Sequence, residues 1–215
     1  MDKLRISREN VSIRCGSITL EGLLELPPVE ENSAQIALIL HPHPLYGGNM
    51  FNNVTSSLAK GLLAKGVGTL RFNFRGVGSS GGSHGHGVDE IDDVLAAISY
   101  IDSLGHVNSR ELILSGYSFG CWVGLKAAAC EDRLMRLIGM SPPVDMYDFS
   151  FLLEEKRPKL LIAGDQDFVC SKNKFLELSD KIPEPKRIVI LEGSDHFHAG
   201  SEDRVVTEAV KFLSL

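Results

Sequence analysis

The sequence predicts an α/β protein in which a mostly parallel, twisted sheet carries helices on both faces. From residue 36 onward, short apolar segments alternate with segments whose apolar side chains recur every three or four residues. Residues 11–26 instead alternate between apolar and polar around Gly16 and Gly22, a pattern typical of antiparallel strands. We therefore expect a single α/β domain over residues 1–215, with antiparallel strands near its N-terminus.

The composition is that of a globular protein that needs no disulfide or metal to hold its core. The chain has 215 residues, of which 43% are apolar, and a formal charge of −6 with scattered positive residues. Nucleic acid and anionic membrane are therefore poor candidate partners, and no apolar run is long enough to span a bilayer. The four cysteines show no metal or disulfide spacing, and no apolar signal segment opens the chain. We expect a cytoplasmic location, and the sequence leaves the oligomeric state open.

The first half of the chain is predicted to contain three buried strands and two helices. Ile36–Leu40 is apolar throughout, which indicates a strand buried on both faces. The next segment has apolar residues at helical spacing, which predicts a helix from Asn52 or Asn53 to Ala64. The same criteria predict, in order, a strand at Val67–Phe74, a helix at Val88–Leu104 and a strand at Glu111–Ser115.

The second half repeats this alternation. Alanine and leucine favour a helix at Cys121–Ala129. Three further apolar segments predict strands at Leu134–Met140, Leu160–Ala163 and Arg187–Leu191. Helices are predicted at Phe175–Ile182 and at Ser201–Leu213, the second capped by Ser201.

A serine flanked by glycines lies at the corner between one of these strands and the helix after it. The stretch reads Gly116-Tyr117-Ser118-Phe119-Gly120, which is the pattern of a nucleophile elbow. The corner residue adopts a strained conformation that exposes its hydroxyl, and larger side chains two positions away would collide with neighbouring elements. The amide of Phe119 can point at a developing oxyanion. An ordinary glycine-rich turn gives the same pattern, so the motif alone does not establish a nucleophile.

A serine nucleophile needs a base and an acid that orients the base, and both can be found downstream of Ser118. Asp167 follows the strand that ends at Ala163, and His196 follows the last predicted strand. Serine, acid and then histidine is the chain order typical of enzymes with this kind of elbow. The order therefore supports Ser118, Asp167 and His196 as the catalytic residues.

Other residues compete for two of these roles. Asp165 is an alternative acid, although it is equally well explained as a turn former that bonds its own backbone. Asp145, after the strand that ends at Met140, is a second alternative acid. His198 is the alternative base, and we expect it to be a loop residue on the solvent side.

The loop after the first buried strand is expected to supply the second oxyanion donor. It begins His-Pro-His-Pro, and proline has no amide hydrogen. The available backbone donors are therefore those of His43 and then of Leu45 or Tyr46. His41 is better explained as a structural hydrogen-bonding residue at the end of the strand.

Two other motifs point to different chemistry. Gly76-x-Gly78-x-x-Gly81 fits a dinucleotide fingerprint, but further loop residues separate it from the next predicted helix. Histidines separated by one residue raise the alternative of a metal-dependent hydrolase, and they form the pairs His41/His43, His84/His86 and His196/His198. No Cys or Glu completes a familiar metal-binding spacing, so we expect neither a cofactor nor a metal.

Together these motifs resemble the α/β-hydrolase superfamily, and within it the compact, lidless hydrolases related to dienelactone hydrolases and small carboxylesterases. The resemblance rests on HPHPLYGG, RGVGSSGG, GYSFG, GDQDFV and GSDHF. It implies the α/β-hydrolase fold, with Ser118 as nucleophile, Asp167 as acid and His196 as base. It also assigns the oxyanion hole to the amides of His43 and Phe119.

The same resemblance implies an open site. A lid in this superfamily usually enters between the strands that end near Met140 and begin near Leu160, where this chain has only residues 141–157. We therefore expect no cap domain and a shallow pocket walled by Leu45, Tyr46, Phe74, Pro142, Phe168 and Phe197. The expected activity is hydrolysis of a small-molecule ester or thioester with a small or exposed acyl group. The alternative is a ligand-binding protein that keeps the elbow only for its fold.

The chain departs from the superfamily pattern at two positions. Asn73 stands where an aspartate is usual, and His198 stands where a second aromatic residue is usual. Neither departure touches the three expected catalytic residues, but both concern the wall of the expected pocket.

Overall fold

The fold is taken from a computed structural model, which describes residues 6–28, 35–105 and 107–214. The expectation that no apolar signal segment opens the chain falls partly on residues 1–5, which lie outside the described residues. The strands are β1 (Ser7–Cys15), β2 (Ile18–Leu26), β3 (Gln35–Leu40), β4 (Gly68–Phe72), β5 (Asn108–Tyr117), β6 (Leu134–Met140), β7 (Lys159–Gly164) and β8 (Lys186–Leu191). The α-helices are α1 (Asn53–Leu63), α2 (Glu90–Ser103), α3 (Phe119–Ala128), α4 (Lys172–Lys181) and α5 (Glu202–Leu213).

The eight strands form one sheet in the spatial order β1-β2-β4-β3-β5-β6-β7-β8. β2 pairs antiparallel with both β1 and β4, whereas all pairs from β4 across to β8 are parallel. The fold class predicted from the sequence is confirmed, including the antiparallel N-terminal strands. The strand order reverses at β3, because the chain passes from β3 to β4 on one side and then to β5 on the other. A ligand crevice in such a sheet forms at the carboxyl ends of the strands beside this reversal.

The central strand β3 is apolar from Ile36 to Leu40 because both of its faces are covered. In β3, Leu38 and Leu40 belong to the core on one face of the sheet, while Ala37 and Ile39 belong to the core on the other. All four side chains are fully buried. Burying a leucine or isoleucine side chain contributes roughly 1.5–3 kcal/mol, so each face gains stability from this strand.

The helices divide between the two faces. α1 and α5 pack against each other and share one core, to which Val54, Leu58 and Val205 contribute. α2, α3 and α4 contribute to the core on the opposite face, through Ile98 and Phe175 among others. None of the helices in the described part of the chain has the length and apolar character needed to cross a bilayer.

Several bounds and one cap differ from the sequence-based expectations. β5 covers Asn108–Tyr117 instead of Glu111–Ser115, and α4 begins at Lys172 instead of Phe175. α3 begins at Phe119, directly after the corner serine, rather than at Cys121, because the turn at Ser118 already sets the direction of the helix. Ser201 precedes α5, but its side chain makes no capping hydrogen bond. The connection between β6 and β7, all of which the structure describes, contains only a short 3₁₀ helix, Ser150–Glu154, and no cap domain.

Candidate active site

The turn between β5 and α3 holds Ser118 in a strained conformation. Its φ is 53° and its ψ is −117°, values that L-residues rarely adopt. The two flanking glycines are needed for close approach: a Cβ on Gly116 would lie 2.3 Å from the oxygen of Gly120, and one on Gly120 would lie 2.5 Å from the oxygen of His41. The sequence pattern therefore reflects a real packing constraint, with backbone atoms on both sides of the corner.

The imidazole of His196 lies between the hydroxyl of Ser118 and the carboxylate of Asp167. Its Nε2 is 3.0 Å from Ser118 Oγ, and its Nδ1 is 2.9 Å from each carboxylate oxygen of Asp167. The tautomer with hydrogen on Nδ1 satisfies both contacts, because Nδ1 then donates to the carboxylate and Nε2 accepts from the serine. The hydroxyl of Tyr117 donates to the backbone oxygen of His196 at 2.7 Å and holds the histidine loop against β5.

The carboxylate of Asp167 is buried but well supplied with donors. The amides of Val169 and Cys170 both donate to its Oδ1 at 2.8 Å. Burial raises the pKa of Asp167, but the hydrogen bond and charge of His196, the amide of Val169 and the hydroxyl of Ser141 outweigh it, and the pKa falls below its ordinary value. The side chain of Asp167 is therefore an anion at neutral pH.

The two alternative acids are engaged elsewhere. Asp165 accepts a hydrogen bond from the amide of Gly193 at 2.7 Å, which links two loops and is not the turn within its own loop that the sequence suggested. Asp145 accepts from the amide of Ser171 at 2.6 Å and pairs with Lys174 at 2.7 Å.

The expectation of a solvent-side His198 is wrong. The side chain is fully buried, with its two ring nitrogens 2.9 Å from Ser141 Oγ and 2.8 Å from Ser194 Oγ. Sequence reasoning missed this because loop histidines are usually exposed, and because both hydroxyl partners come from turns whose packing has no sequence signature.

Two backbone amides near Ser118 have no assigned hydrogen-bond partner among the residues that the structure describes. No hydrogen-bond partner is found for the amide of His43 or of Phe119 in the described ranges. The amides of Leu45 and Tyr46 are already used, since they donate to the ring nitrogen and the oxygen of His43 at 3.2 Å and 3.1 Å. Of the loop amides considered from the sequence, that of His43 is the available one.

His41 has the structural position expected for it. Its Nε2 accepts from the amide of Phe74 at 3.0 Å, and its Nδ1 lies 2.6 Å from the oxygen of Pro42. Burial lowers the pKa of His41 to about 4, so the ring is neutral at physiological pH. This neutral ring joins the loop after β3 to the loop after β4.

A cavity of about 610 Å³ opens above Ser118. Its wall is largely aromatic and apolar, and within the described residues it includes no lysine, arginine, aspartate or glutamate. The lining residues are Pro42, His43, Tyr46, Gly47, Gly48, Asn52, Tyr117, Ser118, Phe119, Pro143, Met146, Tyr147, Phe168, Val169, His196 and Phe197. Ser118, His196 and the two residues with unpartnered amides, His43 and Phe119, therefore line one apolar cavity.

The cavity wall differs in part from the sequence-based expectation. Tyr46, Phe168 and Phe197 line it. Leu45, Phe74 and Pro142 do not: Leu45 is exposed outside the cavity, and Phe74 and Pro142 are buried behind it. Phe74 instead packs edge-on against Phe119, and its side chain belongs to the buried core. The residues missed were chiefly Pro143, Met146 and Tyr147, from the irregular connection after β6, where periodicity gives no signal.

The histidine pairs do not form a metal site among the residues that the structure describes. His43, His84 and His86 are neighbours, with ring centroids 5.0 Å and 4.9 Å apart. Nevertheless, no group of three or more histidine, cysteine, aspartate or glutamate side chains in these ranges has a metal-binding arrangement.

Similarity to known proteins identifies the family of this chain. The model of the alpha/beta hydrolase family matches residues 38–169, more than half of the chain. This chain belongs to the alpha/beta hydrolase family. The match includes Ser118 and Asp167 and ends before His196.

Comparisons with individual proteins agree with the match to this family. An uncharacterized protein of Rickettsia prowazekii is 36% identical over 173 residues, which cover 77% of this chain and 72% of that protein. A protein of unknown function from Agrobacterium tumefaciens, proposed to be an alpha/beta hydrolase, has a TM-score of 0.87 and 33% identity over 97% of this chain and 95% of its own. A lidless serine hydrolase of Xanthomonas campestris has a TM-score of 0.86 and 27% identity over 97% and 94% of the two chains.

These likenesses support a hydrolase of the lidless kind. The chain covers a smaller share, 37–65%, of the other curated relatives that it matches. The substrate class and mechanism therefore depend on the site of this chain itself.

Proposed function

We propose that this hydrolase cleaves carboxylic esters or thioesters with a small or exposed acyl group through an acyl-enzyme on Ser118. The observation that carries the proposal is the 3.0 Å contact between Ser118 Oγ and His196 Nε2, with Asp167 2.9 Å from the opposite ring nitrogen. A serine nucleophile requires a base that contacts its hydroxyl and an acid that orients the base.

In the first half of the reaction, Ser118 attacks the acyl carbonyl while His196 accepts its proton at Nε2. Asp167 stabilises the imidazolium that forms and keeps the ring in the correct tautomer. The negative charge that develops on the carbonyl oxygen is held by the amides of His43 and Phe119, aided by the start of α3. His196 then gives the proton to the departing alcohol or thiol, which leaves an acyl-enzyme.

In the second half of the reaction, water hydrolyses the acyl-enzyme. His196 takes a proton from water, whose oxygen attacks the acyl carbonyl of the intermediate, and then returns the proton to Ser118 as the acid is released. The open cavity supports this step because water reaches the acyl carbonyl without displacement of a lid.

The cavity wall favours an uncharged small-molecule substrate. A carboxylate or phosphate on the acyl group would lose water in an apolar cavity without gaining a lysine or arginine partner. Phe168 and Phe197, whose rings lie 5.8 Å apart near His196, offer an aromatic surface to an apolar group.

A panel of p-nitrophenyl esters and thioesters tests the proposal directly. We expect turnover of neutral acetyl and butyryl esters, and markedly weaker turnover of the hemisuccinate, which places a carboxylate in the cavity. In Ser118→Ala, turnover should fall by roughly four to six decades. Near-native turnover in that variant would overturn the mechanism, and no turnover of any ester by the wild type would favour a binding protein without catalysis.

A further inference from the structure

Trp122 of α3 lies behind the cavity wall and has no part in the proposed mechanism. Its indole does not line the cavity, but it stacks face to face on the ring of Tyr147, which does. The two ring centroids are 4.1 Å apart, and the angle between the ring planes is 10°. Both side chains are half-buried and pack against the core. We name Trp122 and Tyr147 the aromatic stack, because one ring supports the other directly at the cavity.

Hydrogen bonds and a cation hold the aromatic stack in place. Nε1 of Trp122 donates to the backbone oxygen of Asp148 at 3.1 Å, which fastens α3 to the connection after β6. The amide of Tyr147 donates to the oxygen of Pro143 at 3.0 Å. The ammonium of Lys126 lies 5.3 Å from the centroid of the Trp122 ring, within the range of a cation–π interaction. Tyr147 is therefore held both through its own backbone and through the ring on which it stacks.

The glycine-rich loop after β4 packs its backbone against the indole. Gly87, at the end of that loop, is buried and has a φ of 79°. A Cβ at this position would lie 2.0 Å from a ring carbon of Trp122, so the indole has no room to move towards the loop. A packed backbone of this kind does not yield to small displacements. The aromatic stack therefore cannot shift freely to admit a longer substrate.

The direction of proton transfer indicates which part of an ester would meet the aromatic stack. In the proposed mechanism, His196 gives its proton to the departing alcohol or thiol, so the leaving group lies beside that ring. Phe168 and Phe197, with ring centroids 5.7 Å and 5.9 Å from that of His196, therefore flank the leaving group. The aromatic stack adjoins Phe119 instead, since the rings of Phe119 and Trp122 lie 6.1 Å apart. On this basis, the acyl chain is the part of the substrate that extends towards the aromatic stack.

We propose that the aromatic stack limits the length of the acyl chain, with Trp122 as a specificity-determining residue that acts through Tyr147. This inference rests on the proposed function, since it concerns the acyl side of the cavity above Ser118. A chain longer than butyryl has to displace the Tyr147 ring, which the stack opposes. Without that ring, the cavity would extend to the indole, 4.1 Å further back, and the apolar face of Trp122 would favour additional methylene groups.

The acyl-length profile of Tyr147→Ala tests the inference. The measurement is kcat/KM for the p-nitrophenyl esters of acetate, butyrate, hexanoate and octanoate, and the result is the ratio of octanoate to butyrate. This ratio compares two substrates of the same protein, so a loss of folded protein does not change it. We expect the ratio to be well below one in the wild type and to rise at least about tenfold in Tyr147→Ala, because methylenes admitted to an apolar pocket are worth that much. An unchanged ratio, or a wild type that prefers octanoate, would overturn the inference.

Trp122→Leu tests whether the support behind the wall sets the limit. It removes a ring that does not line the cavity, so any change in acyl preference has to pass through Tyr147. The ratio of octanoate to butyrate should rise as in Tyr147→Ala, by a smaller factor, because Tyr147 loses the surface on which it stacks. Tyr147→Phe keeps a ring that can stack on Trp122 and should retain the wild-type ratio. A wild-type ratio in Trp122→Leu, or a raised one in Tyr147→Phe, would contradict the role of the aromatic stack.

A matched control and a second ester series complete the experiment. Tyr100→Ala removes another half-buried tyrosine ring that packs against the core but does not line the cavity, and it should keep the wild-type ratio. In a series of acetate esters of longer alcohols, Tyr147→Ala should leave the preference unchanged. A raised ratio in Tyr100→Ala, or a shift in the alcohol series alone, would overturn the inference while the proposed function stands. No turnover of any ester by the wild type would overturn the proposed function and the inference with it.

Discussion

At the scale of single residues, the site depends on how Asp167 keeps its negative charge while buried. Two backbone amides and the ring of His196 form hydrogen bonds with its carboxylate. Burial raises the pKa of Asp167, but His196, the amide of Val169 and the hydroxyl of Ser141 lower it by more. Asp165, two residues earlier, instead fastens the loop after β8 through the amide of Gly193. The two carboxylates are close in sequence but have different structural environments.

Replacement of each aspartate by asparagine should therefore give different results. In Asp167→Asn, the amide cannot hold His196 in the tautomer that accepts the serine proton, and kcat should fall by about four decades, as in other triads. Asp165→Asn keeps an oxygen for Gly193 and should change kcat by no more than a few-fold. Steady-state hydrolysis of p-nitrophenyl acetate by both variants is the measurement. Similar losses in both would contradict the assignment of the acid.

At the scale of elements, the corner between β5 and α3 is packed backbone to backbone. Gly120 stands against the carbonyl groups of Leu40 and His41, at the end of β3, whereas Gly124, one turn along α3, faces the side-chain end of Leu40. The elbow and the loop after β3 are therefore held together by main-chain contact at Gly120, which leaves no room for a methyl group.

Replacing each of these two glycines by alanine should distinguish the main-chain contact of Gly120 from the side-chain contact of Gly124. In Gly120→Ala, atoms that cannot move aside should lower the free energy of unfolding by about 1–3 kcal/mol and displace Ser118. In Gly124→Ala, the Leu40 side chain can shift and alanine favours the helix, so the change should stay within about 1 kcal/mol. Urea denaturation and ester turnover are the readouts. A neutral Gly120→Ala would contradict the packing described for the elbow.

Sequence reasoning predicted elements well where their residues are periodic. The uninterrupted apolar run of β3 and the apolar stripe of α1 gave bounds within a residue or two of those observed. It did less well in irregular segments, as the connection after β6 illustrates: Met146 and Tyr147 line the cavity from a stretch without helical or strand period. Such positions follow from tertiary packing, which local patterns do not encode.

At the scale of the whole molecule, the parallel sheet brings distant loops to one edge. Ser118, Asp167 and His196 follow β5, β7 and β8, and the structure brings the ring of His196 within hydrogen-bond distance of the other two side chains. The sequence predicted this convergence from motif and chain order, and the catalytic roles stay predictions. It could not predict the burial of His198, because that depends on hydroxyls in two other loops.

The same packing buries His41, and this should make stability depend on pH. Its folded pKa of about 4 lies below the ordinary value of 6.5, so the unfolded chain takes up a proton first as the pH falls. The stability that neutral His41 confers is complete above pH 6.5 and is lost as the pH falls towards 4, by roughly 3 kcal/mol in total.

Urea unfolding at pH 7.5, 5.5 and 4.5 checks this contribution. In His41→Gln, whose side chain does not titrate in this range, the decrease in unfolding free energy between the first and last pH should be smaller by roughly 2.5 kcal/mol, most of that total. An identical decrease in wild type and variant would show that His41 is not the buried neutral group described.

The central claim is that His196 makes the hydroxyl of Ser118 a nucleophile at neutral pH. It is tested most directly by treating the protein with a fluorophosphonate and locating the adduct by peptide mass spectrometry. We expect one adduct, on Ser118, whose rate of formation is lost in His196→Ala and in Ser118→Ala. Absence of an adduct in the wild type, or an adduct on another residue that persists in both variants, would contradict the account.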